Sequence, residues 1–292
     1  MATYHHGERA VQQRAGVESQ AAHALRAIRG FVPDVAAAFL AEQSMIIVSA
    51  ADRAGRTWST LLAGEPGFLR APDPWTLTVD ALPAPEDPLA EVLAGAVKVG
   101  MIAIDFAARR RMRVNGTAEP SGRGLRVQLD QVFANCPKYL QKRQSTPMPP
   151  GARSVCRGTE LTAAQRLALS EADTFFIGTA TPDGDADVSH RGGNPGFVQV
   201  LSPTHLRWPE YTGNSMFLTL GNLELRPSAG LLVPDWKSGG LLQLTGTART
   251  REDPRLVDFF VGEVQETTGA VPLRWTDPDY SRFNPPISQK EP

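Results

Sequence analysis

Thr57-Trp58-Ser59-Thr60-Leu61-Leu62-Ala63-Gly64-Glu65-Pro66-Gly67-Phe68 returns later in the chain as Ala186-Asp187-Val188-Ser189-His190-Arg191-Gly192-Gly193-Asn194-Pro195-Gly196-Phe197. Around this pair, residues 39–69 match 168–198 without a gap at an offset of 129. Identities fall at Leu40/Leu169, Glu42/Glu171, Ala51/Ala180, Gly55/Gly184 and Gly64/Gly193. A second block follows at an offset of 130, with Gly100/Gly230, Asp105/Asp235 and Gly116-Thr117-Ala118 against Gly246-Thr247-Ala248. Two such copies predict a duplicated domain folded as an internal pseudo-dimer, and the function is sought where the copies differ.

Each copy reads as short helix, strand, turn, strand. Pro33 opens a helix over 33–43, and Thr159 or Thr162 opens one over 161–172. Residues 45–51 and 174–180 are buried-type strands. Turns at Gly55 and Pro182-Asp183-Gly184 lead to the next strands, the first over 57–62. A further helix is predicted over 89–97, capped by Asp87-Pro88, and another from Asn214-Ser215 to about 225, ended by Arg226-Pro227. Paired strands follow, 99–106 with 111–118 and 230–236 with 241–248, the latter joined by Lys237-Ser238-Gly239-Gly240. The fold class is mainly β with short helices (α+β), as two small antiparallel barrels in tandem. The expected domains are a polar N-terminal arm (1–32, helical near 17–29), a first barrel (33–143), a Pro-rich linker (144–158) and a second barrel with its tail (159–292).

The length of 292 residues suits two domains, each with its own core. A net charge of −1 gives no reason to expect nucleic acid or an anionic membrane surface as partner. No apolar run approaches the ~18 residues that span a bilayer. The N-terminus lacks a hydrophobic signal core, so a cytoplasmic protein is expected. Cys136 and Cys156 read as reduced thiols. The histidines, His5, His6, His23, His190 and His205, form no metal-ligand spacing, so no metal is expected.

The copies differ at Thr60-Leu61-Leu62-Ala63-Gly64 against Ser189-His190-Arg191-Gly192-Gly193. Two apolar residues become a histidine and an arginine, before a glycine pair that lets a ligand approach the backbone. Where the first copy has Asp87-Pro88, the second has Gly213-Asn214-Ser215. A helix start without a carboxylate suits an anion. The bland alternatives are polar residues on an outer strand face for His190 and Arg191, and an ordinary cap for Asn214 and Ser215.

Asp187-Val188-Ser189-His190-Arg191-Gly192-Gly193-x-Pro195-Gly196-Phe197, Gly213-Asn214-Ser215, Leu220-Gly221-Asn222, Arg226-Pro227-x-Ala229-Gly230 and Leu242-Gln243-Leu244-Thr245-Gly246-Thr247-Ala248 together resemble the pyridoxamine 5′-phosphate oxidase-like flavin-binding proteins. The closer likeness is to their two-copy members, which Asn135-Cys136-Pro137-Lys138-Tyr139 and His6-Gly7-Glu8 also resemble. The resemblance implies split barrels with FMN between them; FAD, a deazaflavin or haem are the alternatives. It implies a cofactor site made of Ser189, His190, Arg191, Gly192, Gly193, Asn214, Ser215, Leu220, Asn222 and Gln243. The first copy would supply the opposite wall in cis, through Lys138 and Tyr139. For those two the plain alternative is a helix end that anchors the linker.

Two departures shape the expected activity. Met216-Phe217-Leu218 stands where the oxidase proper has basic residues after its helix cap, and the oxidase's C-terminal Arg-x-His signature is absent. The expectation is therefore an FMN-dependent oxidoreductase acting on a small molecule other than pyridoxine phosphate. Its electrons would come from NAD(P)H or a separate reductase, and no catalytic residue is assigned. A homodimer is an open possibility. The competing readings are a flavin carrier or sensor without turnover, and a split barrel that has lost its cofactor.

Overall fold

The computed structural model describes residues 2–213, 215–251 and 255–287. Three helices come first, α1 (His6–Arg14), α2 (Glu18–Leu25) and α3 (Asp34–Ala41). The first barrel then runs through β1 (Met45–Ala51), β2 (Thr57–Ala63), β3 (Leu69–Asp73), β4 (Thr76–Val79), β5 (Val97–Asp105), β6 (Arg110–Ser121) and β7 (Gly124–Ala134). Two short strands, β8 (Ser145–Pro147) and β9 (Ser154–Gly158), lead to helix α4 (Ala163–Glu171). The second barrel contains β10 (Thr174–Ala180), β11 (Ala186–Gly192), β12 (Gln199–Ser202), β13 (His205–Pro209), α5 (Leu218–Leu225), β14 (Ser228–Pro234), β15 (Leu241–Arg251) and β16 (Leu256–Thr268), with β17 (Leu273–Trp275) after it.

The two sheets have one topology. The first follows the order β2-β1-β5-β6-β7-β4-β3 and the second β11-β10-β14-β15-β16-β13-β12, so each strand has its counterpart in the other copy. Each encloses its own core, around Leu40, Leu69 and Val127 in one and Trp208, Leu244 and Phe259 in the other. A third cluster lies between them: Met45, Ile47, Leu61 and Ile102 meet Phe176, Val188 and Leu232.

Glycines let the barrels approach at backbone distance. A Cβ on Gly100 would lie 2.4 Å from the Asp187 backbone, and one on its counterpart Gly230 would lie 2.5 Å from Thr57 O. Trp58 and Asp187 are themselves counterparts at the offset of 129. The barrels therefore face each other about a pseudo-twofold axis.

Several expectations are corrected. Residues 89–96 form turns rather than a helix. Asp87 Oδ1 accepts from Leu89 N (2.8 Å) while its other oxygen is held by Thr60 and Gln243. With Leu89 and Leu93 buried, the segment is pinned and turns straight into β5. The second copy's helix starts at Leu218 instead of Ser215, behind Phe217 in the left-handed region at φ 56°. Phe217, Leu218, Leu220 and Leu223 are buried, and core packing sets where the helix begins.

The Pro-rich linker does not hang free. β8 pairs with β17 and β9 pairs with β16. The N-terminal arm docks as well. His5 and Glu8 cap α1 reciprocally, and α1 crosses α5 so closely that a Cβ on Gly7 would lie 2.3 Å from Gly221 O. No helix among the described residues is long and apolar enough to cross a membrane.

Candidate functional site

Strand alternation puts Arg111 and Arg113 of β6 on one face, and these side chains lean across the barrel interface towards β11. β11 pairs with β10 so that His190 opposes Phe176 and Gly192 opposes Thr174. Together they bound a cleft lined by Arg111, Arg113, Lys138, Tyr139, His190 and Arg191, closed on its outer side by residues 209–213. One wall comes from each barrel. The free space in it is about 70 Å³.

Arg113 Nη1 donates to both oxygens of Asp187 (3.0 and 2.9 Å), a buried ion pair that ties the barrels together. Arg191 Nε donates to Glu210 Oε1 (2.7 Å). Arg111 Nη1 donates to His190 Nδ1 (3.0 Å), which assigns the imidazole proton to Nε2. Burial, then Arg111 and Arg191, hold the His190 pKa well below its ordinary value, so the ring is neutral. Burial, then Arg113 and Arg191, push the Arg111 pKa down to about 9.

Arg111, Arg113, Arg191 and Lys138 outnumber the two carboxylates, Asp187 and Glu210, by two charges. Arg191 Nη2, His190 Nε2, Arg111 Nε and Arg113 Nε are buried with no hydrogen-bond partner among the described residues. Buried donors in surplus, with like charges crowding one another, call for an anion.

His190, Arg191, Gly192, Lys138 and Tyr139 thus meet at one cleft. A Cβ on Gly192 would lie 2.0 Å from Tyr139 O, so only glycine lets these two segments touch. The remaining predicted residues lie elsewhere. Ser189 points into the barrel, its Oγ 2.7 Å from Thr219 Oγ1. Gly193 packs on Phe197. Leu220 is core, and Asn222 bonds His5 (2.9 Å) and Thr179 (3.0 Å) under α1. Ser215 does not line the cleft, and Asn214 lies outside the described residues. With α5 starting at Leu218 behind buried Phe217, its N-terminus is not open to an anion.

Gln243 belongs to the other side of the pseudo-twofold. There Leu61, Leu62, Leu241 and Gln243 stand where the cleft has His190, Arg191, Arg111 and Arg113. Asp87 fills this position: its Oδ2 accepts from Thr60 Oγ1 (2.5 Å) and Gln243 Nε2 (3.1 Å). The counterpart cleft keeps about 210 Å³ of free space, but its wall carries the Asp87 carboxylate in place of the arginines.

Arg111, Arg113, Asp187, Glu210 and Tyr211 are absent from the cofactor site expected from the sequence, although Asp187 opens the motif that carries the resemblance. The offset of 130 carries the signal, since Arg111 aligns with Leu241 and Arg113 with Gln243. At these positions the charge stands in the first copy, not the second.

Residues 161–285 match the pyridoxamine 5′-phosphate oxidase family model. The matched stretch runs through helix α4 and the second barrel. Arg111, Arg113, Lys138 and Tyr139 come from the preceding copy, outside the matched stretch. No curated protein matches the chain. Among solved structures, a candidate pyridoxamine 5′-phosphate oxidase from Lactobacillus delbrueckii is 23% identical at TM-score 0.31, over 37% of this chain and 94% of that one. The FAD binding protein from Mycobacterium smegmatis is 13% identical at TM-score 0.27, over 40% and 98%. An FMN-binding protein from Syntrophomonas wolfei is 10% identical at TM-score 0.25, over 39% and 84%.

Proposed function

We propose that the chain binds a phosphorylated flavin, FMN first among them, in the cleft between its barrels and acts as an oxidoreductase on a small molecule. The observation that carries this reading is the set of unpartnered buried donors on Arg111, Arg113, Arg191 and His190, in a chain whose second barrel matches the pyridoxamine 5′-phosphate oxidase family model. These donors fit a phosphate. Arg191 and Arg111 would grip it from opposite barrels, and Lys138 would add a mobile charge at the mouth. His190, neutral with its proton on Nε2, would donate a hydrogen bond without adding charge.

Bound flavin would supply the hydride or electron transfer. The chain's part is to hold, orient and shield it. The free space, about 70 Å³, holds an anion of phosphate size but falls short of the roughly 300 Å³ of a small-ligand pocket. A ring system requires the outer wall to part, where Tyr139 Oη donates to Thr212 O (2.6 Å) and its ring meets Tyr211 at 5.1 Å. Because both walls lie in one chain, the cleft needs no second subunit. NAD(P)H or a separate reductase in the cytoplasm is the proposed electron source.

Comparing FMN with riboflavin tests the phosphate contact. The expected result is at least tenfold tighter binding of FMN, with the difference abolished in Arg191→Ala. Equal affinity for the two would refute the anion assignment. A second reading, a non-catalytic split barrel that holds only a small anion, is favoured by the narrow space. It predicts that inorganic phosphate raises Tm while FMN fails to bind.

A further inference from the structure

A larger cavity, about 530 Å³, opens at the end of the second barrel, between α4, the β14–β15 turn and residues 277–280. Its volume falls within the roughly 300–1,000 Å³ usual for small-molecule sites. On its wall stands a buried ion pair, Arg143 Nη2 donating to Asp173 Oδ2 at 2.5 Å, with each residue only 5% exposed. The pair is joined by a single contact. Arg143 Nε and Nη1, Asp173 Oδ1 and the adjacent Thr174 Oγ1 have no hydrogen-bond partner among the described residues.

The missing partners define a ligand. The guanidinium lacks an acceptor and the carboxylate lacks a donor, within the span of one ion pair. That pair is neutral in sum, so a bound anion would lack a counter-charge. Glu171, Asp235, Glu266 and Asp277 line the cavity against one further cation, Lys237, and this excess repels anions. Two aromatic residues also line it. The Arg143 guanidinium lies 5.2 Å from the centre of the Trp236 ring. Burial, then Asp173, pushes the Tyr280 phenol pKa up.

We propose that this cavity binds an uncharged aromatic carboxamide. Its amide oxygen accepts from Arg143, its amide N–H donates to Asp173 Oδ1, and its ring lies against Trp236 and Tyr280. A zwitterion would offer the same donor and acceptor, but both its charges would have to shed water. The cavity is separate from the cofactor cleft and the proposal holds whether or not flavin binds.

Nicotinamide is the probe, titrated into the full chain with and without FMN and followed by tryptophan fluorescence and calorimetry. Nicotinate, the same ring bearing a carboxylate, is the control. Ala168→Phe, on the exposed face of α4 at the cavity's edge, blocks the space without touching the ion pair. The expected result is saturable binding of nicotinamide, at least tenfold weaker for nicotinate and for Ala168→Phe, with the Tm of that variant unchanged. Absence of saturation, equal binding of nicotinate, or indifference to Ala168→Phe would each overturn the proposal. The first of these would mean that water alone completes the ion pair.

Discussion

Glu8 and His190 are both buried titratable groups, and they pull stability in opposite directions with pH. Burial, with Asp187 adding repulsion, lifts the Glu8 pKa from 4.5 to about 8, although His5 N donates to its carboxylate (2.8 Å). The folded state thus holds this proton more tightly than the unfolded chain does. Stability is full below about pH 4.5 and is lost as pH rises towards 8. Glu8→Gln keeps the acceptor and removes the charge. Its Tm should exceed wild type by several degrees at pH 8 and match it near pH 4.5, as read by thermal unfolding in a pH series.

For His190 the shift is downward, so its contribution is present above the unfolded value of 6.5 and is lost as pH falls below it. His190→Gln should lose less Tm than wild type between pH 6.5 and 5. Arg113 makes a different prediction. Arg113→Ala leaves Asp187 buried without its counter-charge, and should cost about 3–5 kcal/mol in chemical denaturation.

At the scale of elements, the strands were the legible part. β1 and β10 run over the predicted residues because short apolar blocks end at turn signals around Gly55 and Gly184. α4 begins behind Thr162, one of the two predicted caps, whose hydroxyl accepts from Gln165 N (3.2 Å). Two helix starts were misread for one physical reason. Asp87 and Ser215 look like caps locally, but long-range contacts decide those segments, through Thr60 and Gln243 in one and through buried Phe217 in the other. The site was half legible. His190 and Arg191 stood out because their counterparts are leucines, whereas Arg111 and Arg113 act across a barrel interface that no local pattern reveals. That interface depends on backbone contact, so Gly100→Ala should strain it against Asp187. A loss of roughly 1–3 kcal/mol in denaturant unfolding is expected, while Gly122→Ala, with nothing within 4 Å of its Cβ, tests the backbone term alone.

Across the whole molecule, two barrels of one topology make two clefts, and among the described residues they differ in chemistry. Three guanidiniums and a histidine converge in the first; leucines, a glutamine and Asp87 occupy its counterpart. A symmetric pair of identical barrels would present two equal sites, whereas these two clefts are unequal. The chain should therefore take up one phosphorylated flavin and no more. A visible absorption titration with FMN, followed by desalting and a flavin count, measures this directly. The account predicts one flavin per chain, bound at least tenfold more weakly in Arg191→Ala. Two flavins per chain, none retained, or a count unaffected by Arg191→Ala would contradict it.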